Sequence, residues 1–267
     1  FKTIGYKSAS SLGFFIGATF GNIFRTKKSI INNLEKSKIS IKYSKNEFAI
    51  NVLGNYGRIL SEYPFLKDFR QNKLEKYLEI DGEENLKKIK DSKKPVVFIS
   101  GHFNNFELMA MQIENAGINV AAIYRPLNNI FLNKIMENIR VKYICKKQIK
   151  KGINGVRDSL KFFKEGISIA LMIDQRVSEG EKINFFGEPA FTTTLPAQLA
   201  LKYNLSIVPV YIERVGKNKF KIKFEKEILP KNFENKLKIT EKLNQVIENM
   251  IIKNPKQWIW THNRWKL

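Results

Sequence analysis

The chain has 267 residues, 43% of them hydrophobic and 20 of them Phe, which is sufficient for one large folded unit and argues against global disorder. Basic residues outnumber acidic ones 47 to 25, a formal charge of +22 that favours nucleic acid, an anionic membrane or an acidic protein as partner, or else reflects a Lys/Ile/Asn-rich background. Cys145 is the only cysteine and there are two histidines, His102 and His262, so an intrachain disulfide is excluded and a structural zinc site is disfavoured.

Taken in chain order, Ser8 to Phe24 is a run of 17 residues without a charge. That falls short of the roughly 20 apolar residues a membrane span requires. Gly13, Gly17 and Gly21 recur every four residues and make one helix face that another backbone can approach closely. Residues 1–28 therefore read as a membrane-seated helix, either a clipped span or an interfacial one, with a buried soluble helix as the alternative. Arg25, Lys27 and Lys28 beyond it suit an anionic cytoplasmic leaflet.

Residues 29–94 read as a helical lead-in, with apolar sets at Ile30, Ile31 and Leu34 and at Phe48, Val52, Tyr56 and Ile59. Lys87 to Lys94 reads as a solvated connector. From Pro95 the pattern alternates. Strands are expected at Val96–Ser100, Val120–Tyr124, Ile167–Ile173 and Ile207–Ile212, with helices at Phe106–Asn115, Phe131–Ile139, Val156–Phe163 and Leu195–Tyr203. Phe220 to Phe224 alternates strictly and reads as a strand antiparallel to Ile207–Ile212, and Ile239–Ile252 as a terminal helix. The expected fold is α/β: a mixed, mostly parallel central sheet flanked by helices, with an N-terminal membrane-associated helix and helical appendage. Residues 29–267 form one domain, its α/β core spanning 95–267.

The chemistry centres on Pro95–Gln112, PVVFISGHFNNFELMAMQ. His102 falls in the turn after a buried strand, where open α/β sheets place their ligands, and Asn104 or Asn105 is a candidate cap for the following helix. Glu107, five residues on, converges with His102 only if one lies in the turn and the other in the first helical turn. A carboxylate on Nδ1–H would fix the imidazole tautomer and leave a base of suitable pKa. There is no G-x-S-x-G elbow, no P-loop and no G-x-G-x-x-G, so such a base acts on a substrate hydroxyl or on water. An ordinary capping turn flanked by His and Glu explains the same residues without chemistry. Cys145 reads as structural or incidental.

Five ordered segments carry a resemblance. GHFNNFE resembles the H-x4-D/E box of glycerolipid and lipid A acyltransferases. Ala122 to Pro126 with Asn128-Asn129 resembles a YRP-x-N segment, and Asp174-Gln175, Phe185-Phe186-Gly187 and Thr192 to Thr194 a DQ…FFG…TTT region. Ile207 to Val210 resembles an IVPV strand, and Pro255 to Trp260 with Arg264-Trp265 the PEQWLW…RW ending of the late (lauroyl/myristoyl) acyltransferases of lipid A biosynthesis.

The resemblance implies transfer of a fatty acyl group from an acyl-carrier-protein thioester to a hydroxyl of a phosphorylated glycolipid, at the cytoplasmic face of the bacterial inner membrane. It calls for no cofactor, metal or nucleic acid. It makes His102 and Glu107 the catalytic pair. Arg125 and Arg140 are candidates for phosphate or oxyanion contacts. Asp174 orients Arg125 or a backbone turn, and Gln175 and Gly187 fall in the matched segments. Thr193 and Thr194 either present amides to a phosphate or cap a helix. Phe185-Phe186 either line an acyl entrance or pack in the core. Trp258, Trp260 and Trp265 are candidates for an interfacial aromatic belt, and His262 reads as a polar surface residue. Two other readings are a glycerophosphate or lysophospholipid acyltransferase and a non-enzymatic basic protein binding membrane or nucleic acid.

Overall fold

The computed structural model describes residues 1–24 and 26–266, so Arg25 of the expected basic cluster lies outside the described residues. Helices α1 (Tyr6–Phe24), α2 (Lys27–Ser37), α3 (Lys45–Glu62) and α4 (Leu66–Arg70) precede strand β1 (Leu78–Asp81) and helix α5 (Glu83–Ser92). The alternating core follows as β2 (Val97–Ser100), α6 (Glu107–Asn115), β3 (Val120–Tyr124), α7 (Ile130–Ile139), β4 (Lys147–Lys150), α8 (Ile153–Lys164) and β5 (Ser168–Met172). A hairpin of β6 (Glu181–Phe185) and β7 (Glu188–Thr192) leads into α9 (Leu195–Tyr203), β8 (Ile207–Val215), β9 (Lys219–Phe224) and α10 (Lys236–Lys253).

Seven strands form one sheet in the order β1-β9-β8-β2-β5-β3-β4. Every pairing in it is parallel except β8 with β9, where Ile212 faces Ile222 in antiparallel register. The fold is therefore the expected α/β arrangement, a mostly parallel sheet flanked by helices. Its central strands are mostly apolar because helices cover both faces: Val97, Phe98 and Ile99 are buried, as are Ile207, Val208, Val210 and Ile212.

Four strands were not anticipated. β1 lies within the presumed helical lead-in, and β4 within the basic run around Cys145, where Lys147 and Lys150 conceal a strand at the sheet edge. An edge strand needs fewer apolar residues, and lysines there block further pairing. The β6–β7 hairpin turns at Phe186 and Gly187, both at positive φ. The Lys87–Lys94 connector is largely the exposed end of α5.

Helix α1 packs on α3 through the expected glycine face. A Cβ on Gly57 would stand 1.9 Å from the carbonyl oxygen of Gly13, and one on Gly17 would stand 2.3 Å from that of Leu53. The opposite face of α1 exposes Leu12, Phe15, Ile16, Phe20 and Ile23. Among the described residues, no helix is long and apolar enough to cross a membrane.

A buried ion pair ties this helical layer to the sheet. The carboxylate of Glu62, at the end of α3, receives Arg214 of β8 at 2.8 Å and the Ser10 hydroxyl of α1 at 2.7 Å. Asn105, in the turn after β2, donates a longer 3.4 Å bond to the same carboxylate. The turn that carries His102 is thus braced from below by the N-terminal helices.

Candidate active site

Strand β2 ends at Ser100, and the chain turns through Gly101, His102, Phe103 and Asn104 before α6 begins. Asn104 sits at φ +41°, and neither Asn104 nor Asn105 caps the helix. Their side chains turn inward instead: Asn104 donates to Gln257 Oε1 at 2.6 Å and Asn105 to Glu62. Gly101 accommodates the ring of Phe103, which would meet a Cβ at 2.8 Å. These contacts place His102 at the carboxyl end of β2, as its position in sequence predicts.

The carboxylate on its imidazole is that of Asp174. Nδ1 of His102 lies 2.8 Å from Asp174 Oδ1, while Oδ2 accepts the His102 backbone N–H at 2.8 Å and the indole N–H of Trp258 at 2.7 Å. Asp174 follows β5, the neighbour of β2 in the sheet, so two parallel strand ends deliver the pair. Burial by itself would raise the Asp174 pKa. The His102 charge, the two bonds from His102 and the bond from Trp258 outweigh it and hold the carboxyl below its usual value. An ionised Asp174 accepts Nδ1–H and leaves Nε2 of His102 as the basic nitrogen. Among the described residues that nitrogen has no protein partner, and the ring borders a cavity of about 810 Å³.

The expected contact of Glu107 with His102 is replaced by another. Glu107 Oε1 accepts from Nε and Nη2 of Arg140, at 2.9 and 2.7 Å, and from the hydroxyl of Tyr63 at 2.5 Å. The reason is positional: α6 starts only at Glu107, and its first turn faces α3 and the end of α7, which supply a guanidinium and a phenol. Burial and the Glu107 charge drive the Tyr63 pKa well above its usual value, so this hydroxyl stays a donor. Arg140 also lies over the Tyr124 ring, 5.5 Å from its centroid.

The cavity brings together most of the residues singled out in the sequence. His102, Glu107, Arg125, Arg140, Gln175 and Thr193 line it, and Asp174 stands directly behind His102. Gly187 and Thr194 are absent from that lining. Gly187 turns the β6–β7 hairpin beside a separate cleft against Glu241 and Glu248. Thr194 Oγ1 accepts the side-chain amide of Gln198, a contact inside the first turn of α9.

The pocket floor is a row of sheet residues. Phe98, Ala170 and Ala122 stand side by side in β2, β5 and β3, with Gln148 of β4 next, beneath Met109, Ala110 and Ile113 of α6. Apart from Gln148 this floor is apolar, with polar groups at the strand ends, a lining suited to a hydrocarbon chain with a polar head.

Several contributors carried no usable signal in the sequence. Lys151 follows β4 as Arg125 follows β3, and its N–H binds the Tyr124 carbonyl at 2.9 Å. The two cations therefore meet at adjacent strand ends, and burial followed by the Arg125 charge lowers the Lys151 pKa. The tryptophans are not an interfacial belt. Trp258, Trp260 and Trp265 are 2%, 0% and 3% exposed, and Phe185 packs among Trp258 and Trp265 in the core. His262 is no surface residue either, since its ring borders the cavity. Cys145 is buried and its pKa is raised to about 12, chiefly by burial, which makes the thiol inert.

The sequence as a whole then decides the family. The profile of bacterial lipid A biosynthesis acyltransferases matches residues 1–267, the whole chain. The chain belongs to that family. Among solved structures, the chain is similar to the 1-acyl-sn-glycerophosphate acyltransferase PlsC from Thermotoga maritima. The two share 14% identity over 94% of this chain and 96% of that one, with a TM-score of 0.48. No curated protein matches. Family membership makes this an acyltransferase of lipid A biosynthesis.

Proposed function

We propose that this acyltransferase moves a fatty acyl chain from an acyl-carrier-protein thioester to a hydroxyl of a phosphorylated lipid A precursor, with His102 as general base. The observation that carries the reading is the Asp174–His102 pair, its Nε2 open to a cavity whose remaining wall is largely apolar. The acceptor hydroxyl gives its proton to Nε2 and attacks the thioester carbonyl directly. A thioester is already activated, so no acyl-enzyme is needed.

Asp174 holds the tautomer and stabilises the imidazolium as it forms. Glu107 acts through Arg140, whose guanidinium it fixes beside the cavity. Arg125 and Arg140, with Lys151 next to Arg125, offer cations to the acceptor phosphates, and Gln175 and Thr193 add neutral polar contacts. Gly187 and Thr194 support the hairpin and α9 rather than the substrate. The apolar floor at Ala122 and Ala170 takes the acyl chain.

The same reading seats the enzyme on the cytoplasmic face of the inner membrane. Ile130, Phe131, Leu132 and Ile135 of α7 are exposed, as are Leu60 of α3 and the outer face of α1, and both Leu60 and Leu132 border the cavity. An exposed apolar surface on a chain of net charge +22 suits an anionic interface.

The test is an assay of purified, detergent-solubilised protein with acyl-carrier-protein and coenzyme A thioesters, against a tetraacylated lipid A precursor and a 1-acylglycerol phosphate. The proposal predicts transfer from the carrier protein to the glycolipid. Transfer only to the glycerophosphate would replace the acceptor, and no transfer to either would refute the reading.

A further inference from the structure

The chain holds two histidines, and the mechanism above uses only His102. The other, His262, borders the same cavity. Its Nε2 accepts the backbone N–H of Arg176 at 3.0 Å, two residues beyond Asp174. Its own carbonyl oxygen receives Asn33 Nδ2 at 2.8 Å and the Arg264 N–H at 2.9 Å, so the backbone beneath the ring is held as well. Trp258, four residues upstream, is bonded to Asp174. The segment carrying His262 is thereby fastened twice to the loop that holds Asp174.

An imidazole nitrogen that accepts a backbone N–H carries no proton, so the proton of neutral His262 resides on Nδ1. Burial lowers its pKa to about 4; Asp174 opposes the shift, and the charge of His102 reinforces it. The ring is neutral near pH 7 and cannot take the place of His102 as base. Nδ1–H points away from Arg176, and among the described residues it has no protein acceptor. A fixed, neutral, partly desolvated donor beside a general base is what a developing oxyanion requires. The permanent charges of a phosphate are better matched by Arg125 and Lys151.

We propose that His262 donates Nδ1–H to the carbonyl oxygen of the acyl thioester, and to the oxyanion that this oxygen becomes; the assignment rests on the acyl-transfer reading above. As the acceptor oxygen bonds to the carbonyl carbon, its proton passes to His102 Nε2 and the carbonyl π pair moves onto the oxygen held by His262. When the pair returns, the C–S bond breaks and the departing sulfur takes the proton from His102. His262 keeps its own proton throughout.

Two substitutions separate this role from a purely structural one. Asparagine places an amide N–H near the Nδ1 position and gives up the acceptor for Arg176. Glutamine reaches the Nε2 position, keeps that acceptor and gives up the inner donor. In steady-state acyl transfer, His262→Gln is expected to lower kcat about 100-fold with little change in KM, and His262→Asn to retain most of kcat. The reverse order, or a Gln variant at the wild-type rate, overturns the assignment while leaving acyl transfer intact. Absence of transfer by the wild type overturns the acyl-transfer reading and this one with it. Nitrogen-15 spectra of the wild type should show His262 protonated on Nδ1, and protonation on Nε2 would overturn the proposal independently of any activity.

Discussion

At the scale of single residues, the site separates two carboxylates into two tasks. Asp174 binds the imidazole of His102, and Glu107 neutralises Arg140, whose side chain is 12% exposed. Truncating one member of such a pair strands a charge in a partly buried place, at a cost of about 3–5 kcal/mol, whereas replacing both with apolar residues of similar size is close to neutral. Urea unfolding should therefore show Glu107→Ala strongly destabilised, and Glu107→Leu/Arg140→Met much closer to wild type. Near-additive losses would show that the two side chains do not act as a pair.

His262 makes a prediction of known sign. Its folded pKa of about 4 lies below the ordinary value of 6.5, so between these values the unfolded chain binds a proton that the folded chain refuses. Its contribution to stability is complete above about pH 6.5 and declines as the pH falls toward 4. Unfolding midpoints measured at pH 7.5, 5.5 and 4.5 should drop more steeply for the wild type than for His262→Gln. Parallel curves would show that His262 does not titrate in this window.

At the scale of elements, the close approach of α1 and α3 depends on missing Cβ atoms. Gly57→Ala would drive a methyl group into the Gly13 carbonyl, a backbone atom that cannot rotate away. Overpacking of this kind costs about 1–3 kcal/mol, and the variant is expected to melt several degrees lower than the wild type. An unchanged midpoint would mean that the helices meet elsewhere.

This helix face was legible in the sequence because glycines four apart have one geometric meaning. The central strands were legible for a similar reason, since Val96 to Ile99 and Ile207 to Val210 are apolar runs too short for helices. β1 and β4 were not, because edge strands can be built from charged residues. The partner of His102 was also hidden. Residues 102 and 174 become neighbours only through the adjacency of β2 and β5, and no spacing within one stretch encodes that pairing. Glu107 was the nearby carboxylate, and the start of α6 turned it toward Arg140 and Tyr63 instead. The tryptophans misled because an aromatic residue beside a lysine looks the same in sequence whether it faces a membrane or the core.

At the scale of the molecule, the +22 charge and the exposed apolar faces of α1 and α7 belong to one account. Exposed charges are screened beyond about 8 Å at 0.15 M salt, so binding to anionic vesicles should weaken steeply as salt rises, and neutral vesicles should bind less. Phe131, 85% exposed, touches the core least, and Phe131→Asp should reduce vesicle binding without lowering the melting temperature. Salt-independent binding would contradict the anionic-surface proposal.

The whole arrangement, from the parallel strand ends to the buried Trp258, converges on one pair of atoms. The direct test is the acyl-transfer rate of Asp174→Asn, a substitution that keeps the shape and removes the charge that fixes His102. By analogy with a triad carboxylate changed to its amide, the rate should fall by about 10⁴-fold while Glu107→Gln retains more activity. An Asp174→Asn enzyme working at the wild-type rate would contradict the account.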